Sequence, residues 1–385
     1  MSSSSSPSHK GPPAKKARKA SARAAAVTDS DDAYSPAPAP TAGTVAIHEP
    51  EAAKPVFARG RCSSLHAATM RFTGHSAAVY SCGFNHNGSV LATAGMDRGI
   101  FLWDVNIGDG SNNFNVMRGH KNAVLQLQWL PCAANQLVSC SADKTVSLWD
   151  ANRGQRLCKF SEHTGIINSV ACAGAPAPDI VLSGSDDCTA VLWDLRSPQP
   201  QASLFLDYQV TAVALSADAR TAYTGGLDNV VRVWDLRQGE PERPLWELSG
   251  HTDTITGLAL SPDGCTLLSN GMDNALRSWN VRPFVAAVQD STAKEQGAAR
   301  HERLYLGHSH GAEKALLRCS WSENGMQVAC GSADRNVHIW DAQSCEPMYR
   351  LPGHTGSVNQ VAFHPTEPVI ASCSTDRTVW LGELS

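Results

Sequence analysis

The sequence predicts an all-β protein built from seven copies of one small sheet, and three observations carry that reading. Trp-Asp recurs at Trp103-Asp104, Trp149-Asp150, Trp193-Asp194, Trp234-Asp235 and Trp340-Asp341, with Trp279-Asn280 as a near copy; the Trp intervals are 46, 44, 41, 45 and 61 residues. An aspartate stands six residues before each of these tryptophans, at Asp97, Asp143, Asp187, Asp228, Asp273 and Asp334. A seventh copy is Asp376, whose Trp-Asp place holds Gly382-Glu383, since Trp380 comes two residues too early. Four residues before each aspartate lies Thr93, Ser139, Ser183, Thr224, Ser269, Cys330 or Ser372. Gly-His opens most units, at His75, His120, His251, His308 and His354, with Glu162-His163 as a variant. Self-similarity at this period marks a repeat architecture.

Each element of the unit has a mechanical reason. Residues 146–149 and 231–234 alternate with the period of β-structure. An aspartate opening a tight hairpin, centred on the next residue, makes the hydroxyl and the tryptophan cross-strand neighbours. The buried indole N–H needs an acceptor, which the hydroxyl supplies. The hydroxyl in turn donates to the histidine, whose second nitrogen reaches the aspartate. Such a chain stabilises only when complete, because an orphaned buried polar group costs roughly 1–3 kcal/mol. Four units carry the whole set: His75, Thr93, Asp97 and Trp103; His120, Ser139, Asp143 and Trp149; His163, Ser183, Asp187 and Trp193; His251, Ser269, Asp273 and Trp279. The fourth unit lacks the histidine, with Leu206 near its place; the sixth has Cys330 for the hydroxyl and either His308 or His310 as its histidine; the seventh lacks the tryptophan. These three are expected to be held more by packing than by the network.

Composition bounds the function classes. The 385 residues carry a formal net charge of −4, are 42% hydrophobic and 18% charged, and so describe neither a disordered chain nor a collagen nor a supercharged nucleic-acid binder. No apolar run approaches the ~18 residues of a membrane span, and no secretory signal is expected from the first thirty residues. The twelve cysteines contain no Cys-x-x-Cys pair, so they read as reduced core residues rather than a zinc or redox motif. Residues 1–60 are serine-, alanine- and proline-rich and are expected to be a disordered basic tail. Its Lys15, Lys16, Arg18 and Lys19 match a nuclear-import signal, a solvated tail, or one touching RNA phosphates.

The repeat resembles the WD-repeat family. The resemblance implies four-stranded blades set round an axis as a seven-bladed WD40 β-propeller spanning residues 61–385. The last repeat ends just after its third strand, so its outer strand is expected from residues 64–73, locking the ring and removing an open edge.

Catalytic motifs are present in letter and absent in context. Gly307-His308-Ser309-His310-Gly311 matches Gly-x-Ser-x-Gly, but that elbow needs a strand-turn-helix setting. His301, His308 and His310 lack an obvious carboxylate partner for a metal. Asn87-Gly88-Ser89 is a glycosylation acceptor expected to stay unmodified. A Ser/His/Asp set repeated in unit after unit argues for architecture, so no enzyme activity, cofactor or metal is expected.

What remains is surface. The turn residues following the aspartates are Arg98, Lys144, Cys188, Asn229, Asn274, Arg335 and Arg377. Arg335, Arg377, Arg98 and Lys144 fall on consecutive blades of a closed ring, a cationic arc for an acidic protein segment or a phosphate-bearing strand; the alternative is that basic residues are simply common at this turn. The long 61-residue interval places an insertion near 283–300, expected as a mobile loop on the opposite face.

Several segments resemble one spliceosomal branch of the family, subunits of the U5 small nuclear ribonucleoprotein: 61–65 (RCSSL), 272–284 (MDNALRSWNVRPF), 316–322 (LLRCSWS), 331–341 (GSADRNVHIWD) and 351–368 (LPGHTGSVNQVAFHPTEP). That resemblance implies a nuclear scaffold subunit acting in pre-mRNA splicing. Its expected partners are other spliceosomal proteins, above all the particle's large central scaffold protein, with small nuclear RNA reached indirectly and no membrane. The other class is a substrate receptor of a cullin-type ubiquitin ligase, because Trp193-Asp194-Leu195-Arg196 and Trp234-Asp235-Leu236-Arg237 resemble the Trp-Asp-x-Arg boxes of such receptors.

Overall fold

A strand buried on both faces belongs in the interior of a fold, and the inner strands of blades three and four show why the sheets stand edge-on to an axis. Ile167–Cys172 and Val210–Leu215 are buried along their whole length, whereas the last strand of the second blade, Gln155–Phe160, is exposed almost throughout. The computed structural model describes residues 62–107, 112–238, 241–283 and 300–384, with the backbone of Val45–Ile47. Within it stand seven antiparallel sheets, six of four strands and one of five. Blade one runs Val79–Phe84, Val90–Gly95, Gly99–Asp104 and Asn113–Arg118 from inside to outside. Blades two to six repeat this order, with third strands Val146–Asp150, Thr189–Asp194, Val230–Asp235, Ala275–Asn280 and Val337–Asp341.

Blade seven is composite. Val358–Phe363, Val369–Ser374 and Thr378–Glu383 come from the end of the chain, and Thr69–Thr73 pairs with the last of them, Thr69 opposite Gly382 and Thr73 opposite Thr378. The closing strand is shorter than the expected 64–73. Residues 64–68 are irregular and fastened by side chains: Glu367 accepts from Ser64 N at 2.8 Å and from its hydroxyl at 3.0 Å, and Glu383 accepts from Cys62 N. The strand alternates as a half-buried strand should, with Met70 and Phe72 fully buried. Phe72 stacks on Trp103 of blade one at 5.2 Å, so the closing strand is packed between two blades. Burying two such side chains contributes about 3–6 kcal/mol. Val45–Ile47 pairs along the outside of this strand, Val45 opposite Phe72. The rest of the tail, with Lys15, Lys16, Arg18 and Lys19, and insertion residues 284–299 lie outside the described residues.

Neighbouring blades are stitched by a recurrent β-bulge. In blades one to five and seven the register of the first two strands skips one residue of the inner strand. The skipped residue turns its side chain sideways. Asn168 Nδ2 donates to Val210 O at 2.9 Å, Thr256 Oγ1 to Leu317 O at 2.8 Å, Asn359 Nδ2 to Val79 O at 2.6 Å, and Thr211 Oγ1 to Ile255 O. Arg318 reaches further, from blade six to blade three, donating to Ser169 Oγ at 3.4 Å and to Asn168 O.

Candidate functional site: the turn face

The face carrying the aspartate turns is built by the hydrogen-bond chains beneath it. In blade one His75 Nδ1 lies 2.8 Å from Asp97, His75 Nε2 lies 2.7 Å from the Thr93 hydroxyl, and Trp103 Nε1 donates to the same hydroxyl at 2.7 Å. A carboxylate only accepts, so Nδ1 carries the hydrogen, Nε2 accepts from the hydroxyl, and the hydroxyl accepts from the indole. Blades two, three and five repeat the set: His120, Ser139, Asp143 and Trp149; His163, Ser183, Asp187 and Trp193; His251, Ser269, Asp273 and Trp279, with every link between 2.7 and 3.0 Å. Tryptophan and hydroxyl are diagonal rather than directly opposed: Trp149 faces Leu137 while Ser139 faces Ser147. The indole spans the diagonal, within reach of a large aromatic.

Three blades depart from the set in ways the sequence did not disclose. In blade seven the chain is present as His354 to Asp376 at 3.0 Å and to Ser372 at 2.9 Å. Trp380 sits directly opposite Ser372 and donates to Thr378 instead, so this blade has the network that the missing Trp was expected to remove. In blade six neither His308 nor His310 reaches Asp334. Both turn to Asn270 of blade five, at 2.9 and 3.2 Å, and His338, on the third strand itself, takes the aspartate at 2.9 Å. With Cys330 unable to serve the indole, Trp340 donates to Leu306 O at 3.1 Å. In blade four Trp234 keeps its bond to Thr224 at 2.9 Å, and Arg232 pairs with Asp228 where a histidine would stand.

A further participant went unread. Thr145, Thr189 and Thr378 each donate to the tetrad aspartate two residues earlier at 2.6 Å. The signal was there as Asp-x-Thr. Burial pushes the Asp187 carboxyl up, but the Thr189 and His163 hydrogen bonds outweigh it and hold the group down at about 2. Asp97, Asp143, Asp273 and Asp376 are lowered in the same way; with Asp187 they are ionised acceptors that fix the backbone of the loop carrying the tetrad histidine, as where Asp187 takes Thr164 N at 2.9 Å.

The turns so fixed are strained. Arg98, Lys144, Cys188, Asn229, Asn274, Arg335 and Arg377 all have positive φ, between 59° and 71°. Left-handed backbone costs an ordinary L-residue about 1–2 kcal/mol and is tolerated best by Gly or Asn. Turn chemistry alone selects residues like Asn229 and Asn274; it does not select Arg or Lys. Arg335, Arg377, Arg98 and Lys144 lie on four consecutive blades, are exposed, and have no carboxylate within 4 Å among the described residues.

The other candidates behave differently. Arg196 folds onto Asp194 of its own Trp-Asp box through bonds of 2.9 and 2.8 Å, and Arg237 does the same with Asp235. Neither reaches a neighbouring blade, and nothing favours the ligase reading. His301 packs edge-on against Trp279 at 5.2 Å. Among the described residues no group of three His, Cys, Asp or Glu is placed to hold a metal. Gly307 to Gly311 is a loop between two blades, without a helix.

Comparison with known proteins agrees with this geometry. The family described as WD domain, G-beta repeat matches residues 67–104, 112–150, 154–194, 202–235, 242–280, 302–341 and 345–381. Each match joins the outer strand of one blade to three strands of the next, which is why the ring needs Thr69–Thr73 to close. The U5 small nuclear ribonucleoprotein 40 kDa proteins of Dictyostelium discoideum and Homo sapiens are each 44% identical over 324 residues, covering 84% of this chain and 86% of theirs. Pre-mRNA-splicing factor cwf17 of Schizosaccharomyces pombe is 42% identical over 326 residues, 84% of this chain and 90% of its own.

Proposed function

The chain belongs to the WD-repeat family, and on that premise we propose that it is a non-catalytic scaffold subunit of the U5 small nuclear ribonucleoprotein, acting in pre-mRNA splicing in the nucleus. The observation that carries this is the 44% identity to U5 40 kDa proteins, sustained over 84% of the chain. Catalysis is disfavoured by the fate of the reactive groups: Thr93, Ser139, Ser183 and Ser269 are fully buried, each bonded to an indole and an imidazole. A substrate has no approach to them.

The partners are other spliceosomal proteins, with the large U5 scaffold protein foremost, and small nuclear RNA is held through the particle. The arc of Arg98, Lys144, Arg335 and Arg377 supports contact with an acidic protein segment. RNA as the main ligand is disfavoured by the net charge of −4, because phosphate neutralisation drives such affinity. Affinity purification of the tagged chain tests the reading. U5 small nuclear RNA and the scaffold protein are expected in the eluate. A ligase adaptor recovered without RNA would overturn it.

A further inference from the structure

We propose that the turn face of blades three and four is a docking surface for a basic segment of a partner protein that also carries large apolar side chains. The surface is separate from the cationic arc and stands whether or not the splicing assignment does.

Four large apolar residues stand in solvent there: Phe205 is 73% exposed, Tyr208 54%, Leu227 46% and Ile166 39%. Backbone contacts place them on one continuous patch. Asp186 N donates to Ile166 O at 2.9 Å, Leu206 N to Cys188 O at 2.9 Å, and Leu227 N to Gln209 O at 3.3 Å. These bonds run from the loop before blade three, through its aspartate turn, to the loop and turn of blade four. Scattered exposed apolar residues are ordinary, but a contiguous group with a polar rim marks an interaction site.

The rim is acidic. Glu162 and Asp207 are exposed and Asp186 is half-buried beside them, accepting from Asn168 at 2.6 Å. The Lys and Arg ion pairs of these two blades involve Asp179, Asp194, Asp218, Asp228, Asp235 and Glu247, so the three rim carboxylates have no Lys or Arg within 4 Å among the described residues. The uncompensated charge selects the occupant: a lysine- or arginine-bearing segment is attracted, and an RNA strand or acidic segment is repelled.

Blade four is also the blade without a tetrad histidine, and Asp228 is held by Arg232 from within the hairpin. Leu206–Gln209 is thereby released from the network that pins the corresponding loop in five other blades. A loop free of that duty presents Asp207 and Tyr208 outward.

The test replaces Tyr208 with the photocrosslinker p-benzoylphenylalanine in the full chain, expressed in cells and irradiated in its native complexes, and sequences the attached segment. A protein segment containing Lys or Arg flanked by apolar residues is expected. An acidic segment, a nucleotide, a second copy of this chain, or no adduct overturns the proposal. The attached segment is then synthesised and titrated by fluorescence anisotropy. The Tyr208→Ser, Leu227→Ser pair and the Asp207→Lys variant are each expected to weaken binding about tenfold, and Arg153→Ala, an exposed side chain outside both the arc and this patch, to leave it within about twofold. Unchanged affinity in the first two, with circular dichroism matching the parent, rejects the surface.

Discussion

His338 Nε2 lies 2.9 Å from Asp334, four residues earlier on the same hairpin, in the role that a loop histidine fills in five other blades. The aspartate is held from within its own blade, and Arg350 adds a second bond at 3.1 Å. The loop before blade six is released, and its two histidines turn across the blade boundary to Asn270. Replacement of one network by another, rather than by packing alone, is how this ring tolerates imperfect repeats.

Complete networks are expected to be costly to interrupt. Ser139→Ala leaves the Trp149 N–H and His120 Nε2 without partners in a fully buried site. With two orphans at roughly 1–3 kcal/mol each, a loss of about 2–6 kcal/mol is expected. Cys330→Ala, in the blade whose indole bonds elsewhere, is expected to cost under about 2 kcal/mol. Urea unfolding of both variants checks the ranking; equal losses would contradict it.

The blade-six histidines make acid stability a direct readout. Burial first, then the charge of neighbouring imidazoles, lowers His308 to about 3; burial lowers His310 to about 4. The unfolded chain binds these protons near 6.5. Between those values the unfolded state holds more protons, so stability is full above about pH 6.5 and falls as pH drops, on the order of 1.4 kcal/mol per pH unit for each imidazole. Asp187, held at about 2, adds a further loss as pH falls below about 4. Chemical denaturation from pH 7 to 4 is expected to show this slope in the parent and a shallower one in a His308→Gln, His310→Gln variant. Parallel slopes would refute it.

Closure by the early strand separates two truncations. Removing residues 1–60 spares Met70 and Phe72 and is expected to leave a cooperative melt. Removing 1–73 exposes the edge of Thr378–Glu383 and the blade-one face of Trp103, and is expected to abolish it. Equal melting midpoints would sink the closure.

Charge reversal at Arg335 and Arg377 tests the arc. The double Glu variant keeps the turn backbone within reach, since both residues project to solvent. Pull-down of the large U5 scaffold protein is expected to drop several-fold and to become less sensitive to salt. Retention at parental level would remove the arc from the interface.

The sequence made the ring legible because the aspartate, hydroxyl and tryptophan are spaced by hairpin geometry, and hairpin geometry is local. The same locality revealed Arg98, Lys144, Arg335 and Arg377 as turn residues before their φ values were known. What stayed hidden was set by contacts between blades. His308 and His310 carry the loop signature, yet Asn270 of the adjacent blade captures both. Trp380 is two residues out of phase, and only its register opposite Ser372 returns it to the His354 site. The patch of Phe205, Tyr208 and Leu227 is three unremarkable residues until the loops are brought side by side.

Acute depletion of the protein followed by transcript sequencing tests the central claim most directly. A splicing scaffold predicts rapid intron retention across many transcripts, reversed by re-expressing the intact chain. Unchanged splicing, with a ubiquitin-ligase substrate accumulating instead, would contradict it.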